Sequence, residues 1–231
     1  MSIADNIHRL EERIETACLR SGRDRSSVRL MGVSKFHGRS RVEEAWAAGL
    51  RLFGENRVRE AEEKFAGFAP SHPGTELHLI GSLQRNKAKA ASSLFDCVQS
   101  ADRDSLILEL AKYRAGRQKP LGILLELRTG EESKSGFPDE DSLYRAAEIL
   151  VSFPGLLPLG LMTMAPFTED RKKIRASFRA LVKAGEGLRA RFPQWDWSCL
   201  SMGMSGDFEI AIEEGSTLLR IGTLIFGERD R

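Results

Sequence analysis

Eight short apolar runs, separated by segments of helical spacing, recur from one end of the chain to the other. That alternation constrains the fold more than any other feature. A strand buried on both faces needs a helix to cover it, and a helix between two strands makes them parallel. The runs are 28–35, 51–55, 77–81, 95–99, 121–127, 159–164, 197–202 and 217–221. An amphipathic helix over 3–20 precedes them, with Ile3, Ile7, Leu10, Ile14 and Leu19 near one face. Further helices are expected over 40–48, 58–68, a polar stretch through Ala91, 104–115, 140–151, 170–191 and 205–214. Ser40 is the expected N-cap of the second helix, with Glu43 completing a capping box and Gly49 ending it. Eight strands suit a closed (β/α)8 TIM barrel better than an open doubly wound sheet, and no G-x-G-x-x-G follows the first strand. At 231 residues such a barrel uses the whole chain, so a single domain over 1–231 is expected.

Charge and cysteine usage narrow the partners. The net charge of +2 supplies no general field toward nucleic acid or a membrane surface. Arg85, Lys87 and Lys89 lack interleaved aromatic residues and read as a solvated helix face. Cys18, Cys97 and Cys199 form neither a C-x-x-C pair nor a zinc-ligand spacing, which fits free thiols in a reduced cytoplasmic chain. The start carries an acid where a signal peptide needs a basic and then an apolar run. The weakly polar stretch 155–166 falls short of the roughly 20 residues that span a bilayer.

In a barrel of this kind the chemistry gathers at the carboxyl ends of the strands. The first strand ends in Val33-Ser34-Lys35. A lysine there sits over the pocket that the strand opens into, where desolvation lowers its pKa and frees the amine as a nucleophile toward an aldehyde. The competing reading is a lysine whose stem packs while its ammonium stays in water. After strands seven and eight, Ser201-Met202-Gly203-Met204-Ser205 and Gly222-Thr223 combine glycine with hydroxyls, as phosphate sites in barrels do. Turn glycines with hydroxyl helix caps are the alternative. A lysine facing phosphate donors suits a phosphorylated aldehyde, and pyridoxal 5′-phosphate (PLP) is the obvious candidate. Arg220 on strand eight could then donate to the pyridine nitrogen, keeping it unprotonated and weakening the ring as an electron sink. A salt-bridged strand-end arginine competes with that role.

These residues carry a resemblance. The stretch Leu77-His78-Leu79-Ile80-Gly81-Ser82-Leu83-Gln84-Arg85-Asn86-Lys87 resembles the H-x-I-G-x-L-Q-x-N-K block of the pyridoxal phosphate homeostasis family. Val33-Ser34-Lys35, Phe53-Gly54-Glu55-Asn56-Arg57, the 130–136 loop, the 200–205 segment and the 220–227 segment resemble its other blocks, in order along the chain. Leu77 and Leu79 stand where the family usually has bulkier residues. The resemblance implies an alanine-racemase-like barrel holding PLP as a Schiff base with Lys35. It implies further that Asn56, Ser201, Gly203, Gly222 and Thr223 line the cofactor and its phosphate, with Arg220 near the ring nitrogen. Such proteins are thought of as PLP carriers or regulators of the vitamin B6 pool and amino-acid balance, without an established catalytic reaction, and transient contact of this chain with PLP-dependent apo-enzymes is expected.

An amino-acid racemase or lyase is the second reading. It needs a base opposite the lysine, normally a tyrosine from an added domain, whereas Tyr113 and Tyr144 fall within expected outer helices. A sugar-phosphate barrel using Lys35 as an aldolase lysine is third. No catalytic residue, metal site or oligomer interface stands out, so a monomeric binding protein is the expectation. His78 reads as a buried structural histidine, His37 and Lys134 as loop residues, and Trp195 and Trp197 as packing between barrel and helices.

Overall fold

Strand β1 (Arg29–Val33) pairs in parallel with β2 (Leu52–Glu55) on one side and with β8 (Leu218–Ile221) on the other. Between them run β3 (Glu76–Leu79), β4 (Cys97–Ala101), β5 (Leu121–Glu126), β6 (Leu156–Met162) and β7 (Cys199–Ser201), which close the ring in chain order. The computed structural model describes residues 2–114, 119–131 and 133–228. Outside the barrel lie α1 (Ile3–Arg20), α2 (Arg39–Ala47), α3 (Val58–Phe65), α4 (Phe68–Ser71), α5 (Ala88–Leu94), α6 (Asp104–Arg114), α7 (Glu140–Val151), α8 (Arg171–Arg191), α9 (Phe208–Glu213) and α10 (Thr223–Phe226). Ala115, the expected end of the 104–115 helix, and Glu132 in the 130–136 loop fall outside the described residues.

Most of the apolar burial lies between strands and helices. Phe53, Phe68, Phe178, Trp197 and Phe208 pack there with the apolar faces of the helices. The barrel interior holds smaller clusters instead: Met31, Leu52 and Leu218 in one, Cys97, Leu124 and Met162 in the other. Several interior positions are polar, and they connect to the site described below. No helix among the described residues is long and apolar enough to cross a membrane.

Local differences from the expected elements have local causes. The Ser40 cap does not form. α2 begins at Arg39 behind Gly38, and Glu43 pairs with Arg39 at 2.9 Å instead of reaching back to a cap. Gly49 does leave the helix in the left-handed region, at φ +98°. The expected 58–68 helix divides into α3 and α4 because Gly67 turns left-handed at φ +63°. β6 starts at Leu156, ahead of the expected 159, and runs through Pro158. The ladder absorbs the proline by shifting register between Ile123 and Leu124, beside Gly160 at φ +146°. β7 is only three residues long, and α9 starts at Phe208 after a turn over 204–207.

Candidate functional site

A cavity of about 500 Å³ opens at the carboxyl end of the barrel, in the range typical of small-molecule sites. Val33, Lys35, Asn56, Gly81, Glu126, Ser135, Ser205, Gly206, Arg220, Gly222 and Thr223 are among its lining residues. Five of the seven residues expected at the cofactor therefore line it: Lys35, Asn56, Arg220, Gly222 and Thr223. A larger groove, of about 690 Å³, lies between the 127–131 segment and α8 and contains none of them.

β1 ends at Val33, two residues short of Lys35, which lies in the turn beyond the strand, whereas Asn56 directly follows the last residue of the neighbouring β2. Gly81 presses against Asn56 so closely that a Cβ would lie 2.2 Å from the Asn56 carbonyl oxygen. Gly222 passes the Val33 carbonyl, with a built Cβ 3.3 Å from that oxygen, and opens the single turn of α10 that carries Thr223.

Arg220 is buried at the cavity floor. Its guanidinium donates to the Thr163 carbonyl at 2.7 Å and to Ser201 Oγ at 2.8 Å. Burial lowers its pKa to about 10, against the opposing pull of Asp207 and Glu126, so it stays cationic at neutral pH. Ser201 lies beneath the cavity, outside its lining, and donates to Gln99 Oε1 at 2.6 Å. A column of polar contacts continues downward: Gln99 Nε2 to His78 Nδ1 at 2.8 Å, then His78 Nε2 to Glu76 at 2.7 Å, with Arg29 also on Glu76. His78 is thus the buried, hydrogen-bonded residue expected. Gly203 also lies outside the lining. At φ +98° its carbonyl accepts the Arg220 N–H at 2.9 Å, and a Cβ would lie 2.7 Å from that of Ala211. Its glycine serves close packing of the loop.

Glu126 and Ser135 were not singled out from sequence, although an acid inside the apolar run 121–127 was a visible signal. Glu126 is 2% exposed and accepts from Ser135 Oγ at 2.9 Å. Burial pushes its carboxyl up to about 6, with the Ser135 hydrogen bond and Arg220 opposing.

Residues considered for other roles lie elsewhere. Tyr113 and Tyr144 donate to Glu109 and Glu140 on their own helices. Lys134 is half-buried on its loop and pairs with Glu131 at 2.5 Å, while His37 stacks on Phe226. Trp197 is fully buried. Burial pushes the Cys199 thiol up to about 12 and Cys97 well above its usual range, and all three cysteines are free. No cluster of metal-ligating side chains occurs among the described residues.

The donor set fits a phosphorylated aromatic aldehyde: an amine on one wall, a buried cationic donor on the floor, and hydroxyl-bearing glycine turns at 205–206 and 222–223. Comparison with known proteins agrees. Residues 4–230 match the alanine racemase N-terminal domain. The pyridoxal phosphate homeostasis protein of Vibrio cholerae is 43% identical over 99% of this chain and 97% of its own length. That of Aquifex aeolicus is 37% identical over 99% of both. PipY of Synechococcus elongatus, solved with PLP bound, superposes with a TM-score of 0.83 at 34% identity, over 97% of this chain and all of its own. Alanine racemase from Bacillus anthracis, at 13% identity and a TM-score of 0.70, shares the fold over 57% of its length. The chain belongs to the pyridoxal phosphate homeostasis family, on an alanine-racemase-type barrel.

Proposed function

We propose that the protein binds PLP in the carboxyl-end cavity, covalently through Lys35, and serves intracellular vitamin B6 homeostasis as a holder of the cofactor. The observation that carries the reading is the meeting of Lys35, Arg220 and the 222–223 turn in one cavity of suitable size. Bound there, PLP supplies an aldehyde for the amine and an anion for the hydroxyl and backbone donors. Lys35 provides the attachment point, and Asn56 forms the wall beside it. Thr223, Gly222 and Ser205 would hold the phosphate, with glycine letting the backbone approach. Arg220, held in place by Ser201 and the Thr163 carbonyl, would donate toward the ring nitrogen from its cationic form. Gly203 shapes the loop that backs Arg220. The three free cysteines suit a cytoplasmic protein. We read it as a monomer that meets PLP-dependent apo-enzymes only transiently.

The visible spectrum of the purified protein beside Lys35→Ala tests this. A yellow band that borohydride bleaches, and that the variant lacks, is the expected result. A wild type that neither shows the band nor takes up added PLP would overturn the reading.

Glu126 favours a second reading. A carboxyl near pKa 6 in the same cavity as a lysine could exchange a proton, as a racemase or lyase requires. Deuterium exchange at the α-carbon of amino acids by the loaded protein separates the two. We expect none above the rate of free PLP, and fast, substrate-specific exchange would replace the holder by an enzyme.

A further inference from the structure

A buried ion pair closes around the peptide that carries Lys35. Glu55 ends β2 fully buried, and Lys64 reaches it from α3 with its side chain 7% exposed. Glu55 Oε1 accepts from Lys64 Nζ at 2.5 Å and from Ser34 Oγ at 2.6 Å. The same ammonium donates to the Ser34 carbonyl at 2.6 Å. That carbonyl also accepts the His37 N–H at 3.1 Å, which closes a four-residue turn with Lys35 second and Phe36 third. The Ser34 N–H donates to the Gly54 carbonyl at 3.1 Å. Every polar group of Ser34 is therefore held, by β2, by α3 or by the turn itself.

The arrangement is expensive. Burial pushes the Glu55 carboxyl up while Lys64 pulls it down, and Glu55 Oε2 accepts no hydrogen bond among the described residues. A buried pair of charges seldom stabilises a fold more than apolar residues of the same size would. Phe36 sits at φ +68°, in the left-handed region, which disfavours a residue with a Cβ by about 1–2 kcal/mol. Strain and buried charge at one strand end, next to a residue of the cavity wall, mark a place where geometry is held at the expense of stability.

We propose that Ser34, Glu55 and Lys64 form a positioning clamp that sets the Lys35 turn and so presents its amine to the cavity. The clamp also fixes the start of Asn56, which directly follows Glu55. The proposal rests on the reading of Lys35 as the attachment point. Glu55 and Lys64 are positioning residues, because they act through the Ser34 peptide.

The test uses Glu55→Gln/Lys64→Met. Glutamine keeps an acceptor for Ser34 Oγ, methionine keeps the stem of Lys64, and no unpaired charge is left behind. A purely structural role would move melting temperature and PLP capture together, whereas the clamp separates them. We expect the double variant to melt close to the wild type and to form the Lys35-dependent band about tenfold more slowly, equivalent to about 1.4 kcal/mol in the barrier. Competitive labelling by acetic anhydride, read by mass spectrometry, follows Lys35 without any cofactor. Its reactivity relative to exposed Lys89 should change in the double variant. Capture and labelling at wild-type values would overturn the proposal, as would a loss of capture that only tracks unfolding. If the double variant folds poorly, Lys64→Met alone takes the same two readouts. If the wild type forms no Lys35 band, the cofactor reading fails, and the labelling experiment still decides on the clamp.

Discussion

Replacing Glu126 by glutamine should make the cofactor-free protein more stable at neutral pH, and the gain should vanish in mild acid. The carboxyl sits 2% exposed at the cavity floor, where burial raises its pKa from the ordinary 4.5 to about 6. For an acid with a raised native pKa, the folded state binds protons more readily than the unfolded one, so stability falls as pH rises from 4.5 to 6. The displacement corresponds to about 2 kcal/mol of penalty, complete above pH 7 and absent below pH 4. Arg220 already pulls against burial within that value. Glutamine mimics the protonated acid, and its Oε1 can still accept from Ser135 Oγ, so the variant escapes the penalty without stranding a donor. In a chain of this size about 2 kcal/mol moves the melting temperature by roughly 4–8 °C. Thermal melts of the apo proteins at pH 7.5 and pH 4 would show the variant above the wild type at the first and level with it at the second. A difference of the same size at both pH values, or a variant less stable at pH 7.5, would refute the account of a buried, unfavourably ionised carboxylate.

The opposite pH dependence is expected at the other end of the polar column. The His78 hydrogen bond holds the Glu76 carboxyl down at about 2, helped by Arg29 and against burial. Its contribution to stability is present above pH 4.5 and is lost as pH falls toward 2, so Glu76→Gln should flatten acid unfolding over that window when followed by circular dichroism. A separate outcome concerns packing. A methyl at Gly160 would lie 1.9 Å from the Cys199 carbonyl oxygen, at φ +146°, with the other near atoms also Cys199 backbone. Gly160→Ala should therefore cost about 3 kcal/mol and lower the urea midpoint accordingly; a neutral result would mean that the β6–β7 contact can open.

The barrel was legible because its signal is repeated. Eight alternations outweigh an error in any one of them, and losses such as the Ser40 cap or the late start assigned to β6 left the topology untouched. The residues that line the cavity at strand ends were legible for a related reason, since strand order alone places Lys35, Asn56 and Arg220 at one mouth. What sequence did not reveal is which polar residues line the cavity and which bond to each other beneath it. Ser201 and Gly203 stand in the expected segment but outside the cavity lining, where Ser201 Oγ accepts from Arg220 and Gly203 packs against Ala211. Conversely, Lys64 shares the spacing of Val58 and Ala61 on the buried side of α3, which reads as an amphipathic helix with one long stem to bury. Its partner Glu55 reads as a polar residue ending a short strand. Only the approach of β2 and α3 to the Ser34 peptide gives the two charges a common object. The function of a buried ion pair lies in the peptide it grips, and that is a property of three segments at once.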